Sequence, residues 1–248
     1  MLRIIADDLG LTKSVNDGII FLLKNRKVSG ASLMANGEAF EDAVFKCTEV
    51  GPLNIGAHLV LVEENSVSGM KFPKNHRTFF IKYVLGLIKL PDIEREFSGQ
   101  LDKITRAGIK PVFINSHQHL HLLPGIMDIT ISLAKIYRIP YIRIVKEPLG
   151  SKGSLFRKAQ LIFLKFLSLM AKNKIKRAGL KCNDFFVGFI NAGNLGLNDL
   201  NLVKKLQNKS PDKLIELGCH PGFENAELAD KYRHWRYNWR KELEILRK

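Results

Sequence analysis

Asp7 and Asp8 stand side by side after the apolar run Leu2-Arg3-Ile4-Ile5-Ala6, and His117, His119 and His121 follow Ser116 at every second position. His58 and His220 stand near the ends of two further apolar runs. One carboxylate with two imidazoles makes a facial set of ligands that holds a divalent ion and leaves positions open for water and a substrate oxygen. Asp8, His58 and His117 can supply that set. Adjacent residues on an extended chain point differently, so Asp8 can hold the ion while Asp7 addresses a water as general base. Asp7-Asp8-Leu9-Gly10 also fits a turn and helix cap leading to a helix at Ser14. Three imidazoles at a period of two share one face if the backbone stays extended, which is a metal-like density. Taken singly, His119 or His121 also fits a satisfied core residue. His76 and His234 lie in charged surroundings and read as solvated.

Cys219-His220 has the residue types of a nucleophile and its base. Neighbours on a strand face opposite sides and cannot pair side chain to side chain, which excludes a thiol hydrolase. Cys219 then packs as a small apolar residue, while His220, before Pro221-Gly222, can face the mouth of the site and protonate a leaving amine. By the same alternation Glu216 shares the face of His220, and Arg143 points inward. These two either orient the catalytic groups or form an interior ion pair with a structural role.

Such residues converge only if the elements carrying them end at one place. Short apolar runs rich in β-branched residues alternate with stretches of helical period, the pattern of βα units around a parallel sheet. The expected fold is α/β, a (β/α) barrel-like single domain over 1–248 with about seven parallel strands, near 2–6, 30–35, 54–61, 111–116, 140–145, 184–190 and 212–219. Helices are expected near 14–26, 38–50, 92–107, 125–137 and 198–205, with one last helix over about 226–248 that contains Trp235 and Trp239. No eighth strand is legible, so the barrel is expected to be incomplete at its C-terminus. Two connections, about 62–90 and 146–181, exceed the usual loop length and rise from the face where barrel enzymes build their sites.

A chain of 248 residues can bury one sizeable core, and 46% hydrophobic with 25% charged residues is a globular composition. Cys47, Cys182 and Cys219 are widely spaced without a CxxC pair, which suggests neither a disulfide framework nor a cysteine zinc site and fits a reducing compartment. The N-terminus leaves no room for a signal peptide, and no apolar stretch approaches the roughly 20 residues of a transmembrane helix. The expected location is the cytoplasm, at most peripheral to the cytoplasmic membrane.

The net charge of +15 invites a nucleic-acid partner, but between Ser151 and Asn183 there are nine Lys or Arg and no Asp or Glu, so one segment holds much of the excess. That run lacks interleaved exposed aromatics or a recognised motif, and no nucleic acid is expected. From Ala159 to Ala171 the only charge is Lys165, and Lys172, Lys174, Lys176 and Arg177 follow. The segment 151–181 reads either as a helix lying on an anionic membrane surface or as a helix buried against the barrel with a solvated basic end.

Five segments in register resemble the YdjC-like carbohydrate deacetylases, relatives of the polysaccharide deacetylases. They are Ala6-Asp7-Asp8-Leu9-Gly10, Ser32-Leu33-Met34-Ala35-Asn36-Gly37, Gly56-Ala57-His58-Leu59, Ser116-His117-Gln118-His119-Leu120-His121 and Cys219-His220-Pro221. Arg143-Ile144-Val145-Lys146-Glu147-Pro148 and the run from Arg177 to Asp184 further resemble the branch associated with hopanoid biosynthesis, whose members are thought to deacetylate an N-acetylglucosaminyl lipid. The resemblance implies deacetylation of an N-acetylated amino sugar, lipid-linked or in an oligosaccharide, with one divalent ion such as zinc, magnesium or manganese. Asp8, His58 and His117 would bind the ion, Asp7 would be the base and His220 would assist the leaving amine. Asn36, Asn115, His119, His121, Arg143 and Glu216 would bind substrate or support these groups. Many relatives have an acidic residue or a glycine where Asn115 stands, so a supporting carboxylate is absent there. Relatives also continue past the seventh strand, whereas this chain ends at Lys248. Two other classes use the same features: another metal-dependent amidohydrolase or phosphoesterase, and a non-catalytic, decayed barrel that binds membrane.

Overall fold

In the computed structural model, which describes residues 1–149, 154–223 and 226–248, the apolar runs form one parallel sheet. Its strands are β1 (Leu2–Leu9), β2 (Gly30–Leu33), β3 (Ile55–Leu59), β4 (Ile114–Ser116), β5 (Phe185–Val187) and β6 (Ile215–Cys219), in the order β4-β3-β2-β1-β6-β5. Every ladder is parallel, so all carboxyl ends open on one face. β2, β3 and β6 are buried along their whole length, as strands covered on both faces must be. The helices of the described residues are α1 (Lys13–Lys24), α2 (Phe40–Val50), α3 (His76–Val84), α4 (Leu90–Arg106), α5 (Ile126–Ile136), α6 (Leu155–Arg177), α7 (Leu197–Lys209), α8 (Ala226–Lys231) and α9 (Trp239–Leu246), of which α1, α4 and α7 pack on the strands. α1 illustrates how they form. Thr12 caps it by accepting from the Val15 amide, and Val15, Ile19, Leu22 and Leu23 recur at helical spacing on its buried face.

The segment 140–145, expected as a strand, is not one. It meets its neighbours only through isolated bridges, Ile114 with Ile142 and Tyr141 with Lys181. Beyond them side chains take the backbone groups a ladder would need. Asn183 accepts from the Ile144 amide at 2.8 Å and donates to the Ile144 carbonyl at 2.7 Å, and Ser168 accepts from the Val145 amide at 2.9 Å. Among the described residues the sheet therefore has six strands rather than about seven, and it is open between β4 and β5.

The single helix expected over 226–248 is also broken. α8 gives way to a 3₁₀ turn, Arg233–Trp235, then to a left-handed Arg236, and the helix restarts at α9 under the Asn238 cap. α9 buries Trp239, Leu243 and Leu246 and lies against α1. Residues 224–225, just before the expected last helix, and 151–153, the start of the basic segment, lie outside the described residues. Both long connections carry a helix, α3 in the first and α6 in the second.

Candidate active site

β1 places its two aspartates by breaking its own register. Ala6 pairs with Ala31 and Leu9 with Leu33, so three steps along β1 match two along β2, a bulge that contains Asp7 and Asp8. Asp8 takes a left-handed backbone, φ 66°, which is costly for a residue with a Cβ and is held by the surrounding ladder. Gly10 follows with φ 96°, and a side chain there would press on the Met34 carbonyl at 2.9 Å. The bulge sets aside strict alternation, and both aspartates reach the carboxyl-end face with different partners.

Asp8 faces the imidazoles. Its Oδ1 lies 3.2 Å from His58 Nε2 and 3.5 Å from His117 Nδ1. Both Asp8 oxygens, His58 Nε2 and His117 Nε2 are buried and make no hydrogen bond, a concentration of orphaned polar atoms that a bound cation would satisfy. One ligand atom from each of Asp8, His58 and His117 lies within 4.8 Å of the others. The donor set and its spacing fit one divalent ion with mixed nitrogen and oxygen preference.

Asn115 bridges His58 and Asp7. Its Oδ1 accepts from His58 Nδ1 at 2.8 Å, while its Nδ2 donates to Asp7 Oδ1 at 2.9 Å. The carboxamide thereby fixes the His58 tautomer with Nδ1 protonated and leaves Nε2 as the free donor atom toward Asp8. Ser32 adds a bond to Asp7 Oδ1 at 2.7 Å and sits 3.1 Å from the same His58 nitrogen.

Asp7 belongs to a buried ionic chain. Arg143 donates from Nη1 to its Oδ2 at 2.5 Å and from Nη2 to its Oδ1 at 3.0 Å, and Arg143 Nε donates to Glu216, which also accepts from Tyr141 Oη at 2.6 Å. Burial alone would raise the Asp7 pKa, but the Arg143 charge, aided by His58, outweighs it and holds the carboxyl well below the ordinary range. Asp7 nonetheless lines the cleft.

The histidine run is not extended. It forms a 3₁₀ turn, His117–Leu122, with left-handed Gln118 and His119, so the three rings part company. His117 goes to Asp8. Burial would lower its pKa, but Asp8 and Glu63 beside it push it up to about 10, which marks the place as one that favours a cation. His119 packs among Phe186 and Phe189 at the cleft wall. His121 turns inward, its Nδ1 2.6 Å from Ser116 Oγ and its Nε2 2.8 Å from the Arg143 carbonyl, tying the turn to the segment that carries the arginine.

Burial lowers the His121 pKa to about 4 from 6.5. Its folded value lies below the unfolded one, so its contribution is present above pH 6.5 and fades as pH falls toward 4. Between pH 7 and pH 5 the expected loss is about 2 kcal/mol. Urea unfolding at the two pH values should show a smaller loss in His121→Gln than in the parent; equal losses would exclude this account.

His220 ends β6. Its amide donates to the buried Glu242 at 2.5 Å, its ring packs on Tyr237 with centroids 4.8 Å apart, and its Nδ1 is buried and unpartnered. Cys219 is fully buried, donates to the Ile5 carbonyl at 3.3 Å, and has its thiol pushed well up by burial. Asp7, His58, His117, His119 and His220 all line one cleft of about 420 Å³. Asn36 does not. It donates to the Asn65 carbonyl at 3.1 Å and lines a separate cavity.

Several cleft residues escape a reading of sequence patterns. Glu63, with φ 74°, lies 3.6 Å from His117 Nε2 and accepts from the Trp235 indole. Its loop is pinned from α4, where Gln100 brackets Val60 and Glu96 accepts from the Val67 and Ser68 amides. Trp235 packs on His117 with centroids 4.9 Å apart. His76, read as solvated, is half-buried in the cleft wall, and His234, exposed as expected, stands at the cleft rim 3.5 Å from Glu63. One signal was available: Trp235, Tyr237 and Trp239 recur at a spacing of two, which no helix face repeats.

A sequence profile for the family described as "YdjC-like protein" matches residues 1–248. A carbohydrate deacetylase of Clostridium beijerinckii (strain ATCC 51743 / NCIMB 8052) is 30% identical over 250 residues, covering 97% of this chain and 89% of that protein. A carbohydrate deacetylase of Brevibacillus brevis (strain 47 / JCM 6285 / NBRC 100599) is 38% identical over 138 residues, 54% of this chain and 56% of that protein. Among solved structures, a protein of Enterococcus faecalis V583 provisionally assigned to cellobiose-phosphate cleavage superposes with a TM-score of 0.69 over 100% of this chain and 90% of its own. At 20% identity that likeness concerns the fold.

Proposed function

The chain belongs to the YdjC-like family, and from that premise we propose that it removes the acetyl group from an N-acetylated amino sugar, using one divalent ion held by Asp8, His58 and His117. The observation that carries this reading is the convergence of unpartnered buried donor atoms on those three residues, beside a cleft that also contains the ionised Asp7. The bound ion would supply Lewis-acid polarisation of the acetamide and a water acidified toward neutrality. The remaining work falls to the chain. Asp7 takes the proton of the attacking water. Its carboxylate is held ionised by Arg143 and so is available to accept that proton. Arg143, Ser32 and Asn115 fix the Asp7 carboxylate in place. His220 delivers a proton to the nitrogen as the C–N bond breaks, and acetate and the free amino sugar leave. Trp235 and Tyr237 give the cleft an aromatic wall suited to the apolar face of a pyranose ring.

Zinc and manganese suit this donor set better than magnesium, which is less natural beside two imidazoles. The finer resemblance of 143–148 and 177–184 makes an N-acetylglucosaminyl lipid the acceptor to assay beside N-acetylated oligosaccharides. Acetate release should depend on added metal. Asp7→Asn should lower the turnover number by roughly 10²–10⁴ while the metal content stays near that of the parent, and His117→Ala should lose both. A folded, metal-loaded protein that releases no acetate from either acceptor class would overturn the proposal.

A further inference from the structure

α6 is apolar on two opposite faces, and only one of them is buried. Leu161, Leu167, Ala171 and Ile175 turn inward, whereas Ile162, Phe163, Phe166, Leu169 and Met170 are 43–59% exposed. A helix apolar all round is ordinarily covered on all sides. α3 and the turn after it continue the same surface, with Ile81, Val84, Leu85 and Leu87 each at least 59% exposed. Phe80 meets Phe163 edge to face at 5.8 Å, joining the two helices across an apolar groove of about 890 Å³. An exposed apolar surface of this continuity marks a site of interaction.

Charge selects the occupant. Neither 75–91 nor 148–183 contains an acidic residue. Lys158, Lys165 and Lys172 recur every seven residues along one flank of α6, and Lys82 lies on α3. Lys172 pairs with Asp184, but Lys82, Lys158 and Lys165 have no acidic partner among the described residues. A second copy of the chain docking by the same face would bring two lysine flanks together, which disfavours it. No helix among the described residues is long and apolar enough to cross a membrane.

We propose that the α3–α6 face docks on the surface of an anionic lipid bilayer, with the Phe and Leu side chains entering the acyl boundary and the flanking lysines meeting the headgroups. The same two helices reach the reaction cleft at their amino-terminal ends, where His76, Arg77 and Arg157 line it, and the Arg77 guanidinium lies over Phe156 at 5.4 Å. Docking therefore sets the cleft beside the lipid surface. This inference does not depend on the reaction assigned to the cleft, because binding is read without turnover.

The test is co-sedimentation of the full chain with vesicles of phosphatidylcholine alone and of phosphatidylcholine with phosphatidylglycerol, at low and high salt, together with the solution mass from analytical ultracentrifugation. Binding should favour the anionic vesicles and weaken with salt. Phe166→Asp should weaken it by roughly tenfold or more, and Lys158→Gln or Lys165→Gln by about fivefold each. Circular dichroism should match the parent in all three, since these side chains lie on the surface. Equal binding to both vesicle types, no binding, or binding indifferent to Phe166→Asp would overturn the proposal. So would a dimer that Phe166→Asp dissociates, which would assign the face to a second copy.

Discussion

Asp8→Asn is expected to weaken divalent-ion binding by about a hundredfold or more, beyond what loss of a supporting residue around a metal ligand typically costs, and to reduce acetate release in step with occupancy. The substitution isolates the charge. Asn keeps the shape of Asp and tolerates the left-handed backbone at this position, φ 66°, so the bulge in β1 should persist. The site loses its one carboxylate ligand, and the carboxamide nitrogen would turn a donor toward imidazoles that need an acceptor or a cation. Metal content by mass spectrometry of the dialysed protein, beside the release assay, reads both effects. A variant that retains the ion as the parent does would remove Asp8 from the ligand set and with it the proposed mechanism.

Arg143→Met should produce the largest loss of stability. The guanidinium is fully buried between Asp7 and Glu216, and removing it leaves two buried carboxylates without their cation, a change that costs about 3–5 kcal/mol. Activity should fall as well, through Asp7. Its pKa is depressed in the folded protein, so the stabilisation from its ionised form is present above the unfolded value and lost as pH falls through the folded one. Without Arg143 burial prevails, the folded pKa rises, and the acid limb of the pH–rate profile should move to higher pH. The double variant Arg143→Met with Glu216→Gln should recover part of the stability and none of the activity, since only the former depends on the Glu216 charge. Urea midpoints and pH–rate profiles separate the two roles. A single variant within about 1 kcal/mol of the parent would show that the ionic chain is not a principal support of this interior.

The Arg143 chain also shows how far sequence reasoning reached. Alternation along the strand at 212–219 put Glu216 on an inward face and left an ion pair with Arg143 as one of two readings; the pair is the contact observed. The same alternation correctly separated Cys219 from His220. It failed for the histidine run, because a period of two implies one face only in extended backbone, and left-handed Gln118 and His119 curl the segment into a 3₁₀ turn. It sent Asp7 and Asp8 in different directions by an incomplete route, since a bulge and not plain alternation aims the two carboxylates at different partners. The strand expected at 140–145 had the right residues, but Asn183 and Ser168 side chains claim its backbone groups.

By itself the sequence determined the α/β class, the carboxyl-end placement of Asp7, Asp8, His58, His117 and His220, and the apolar and basic character of the segment now seen as α6. These follow from local periodicity and residue chemistry, which a linear chain displays directly. The tertiary structure alone decided that ligand atoms of Asp8, His58 and His117 come within 4.8 Å, that Asn115 orients His58, and that Glu63 and Trp235 arrive at His117 from distant loops. It also left α6 with an uncovered apolar face. Periodicity reports which face of an element is apolar; which distant residues meet, and which faces stay open, depends on loop paths and buried hydrogen bonds that the pattern does not encode.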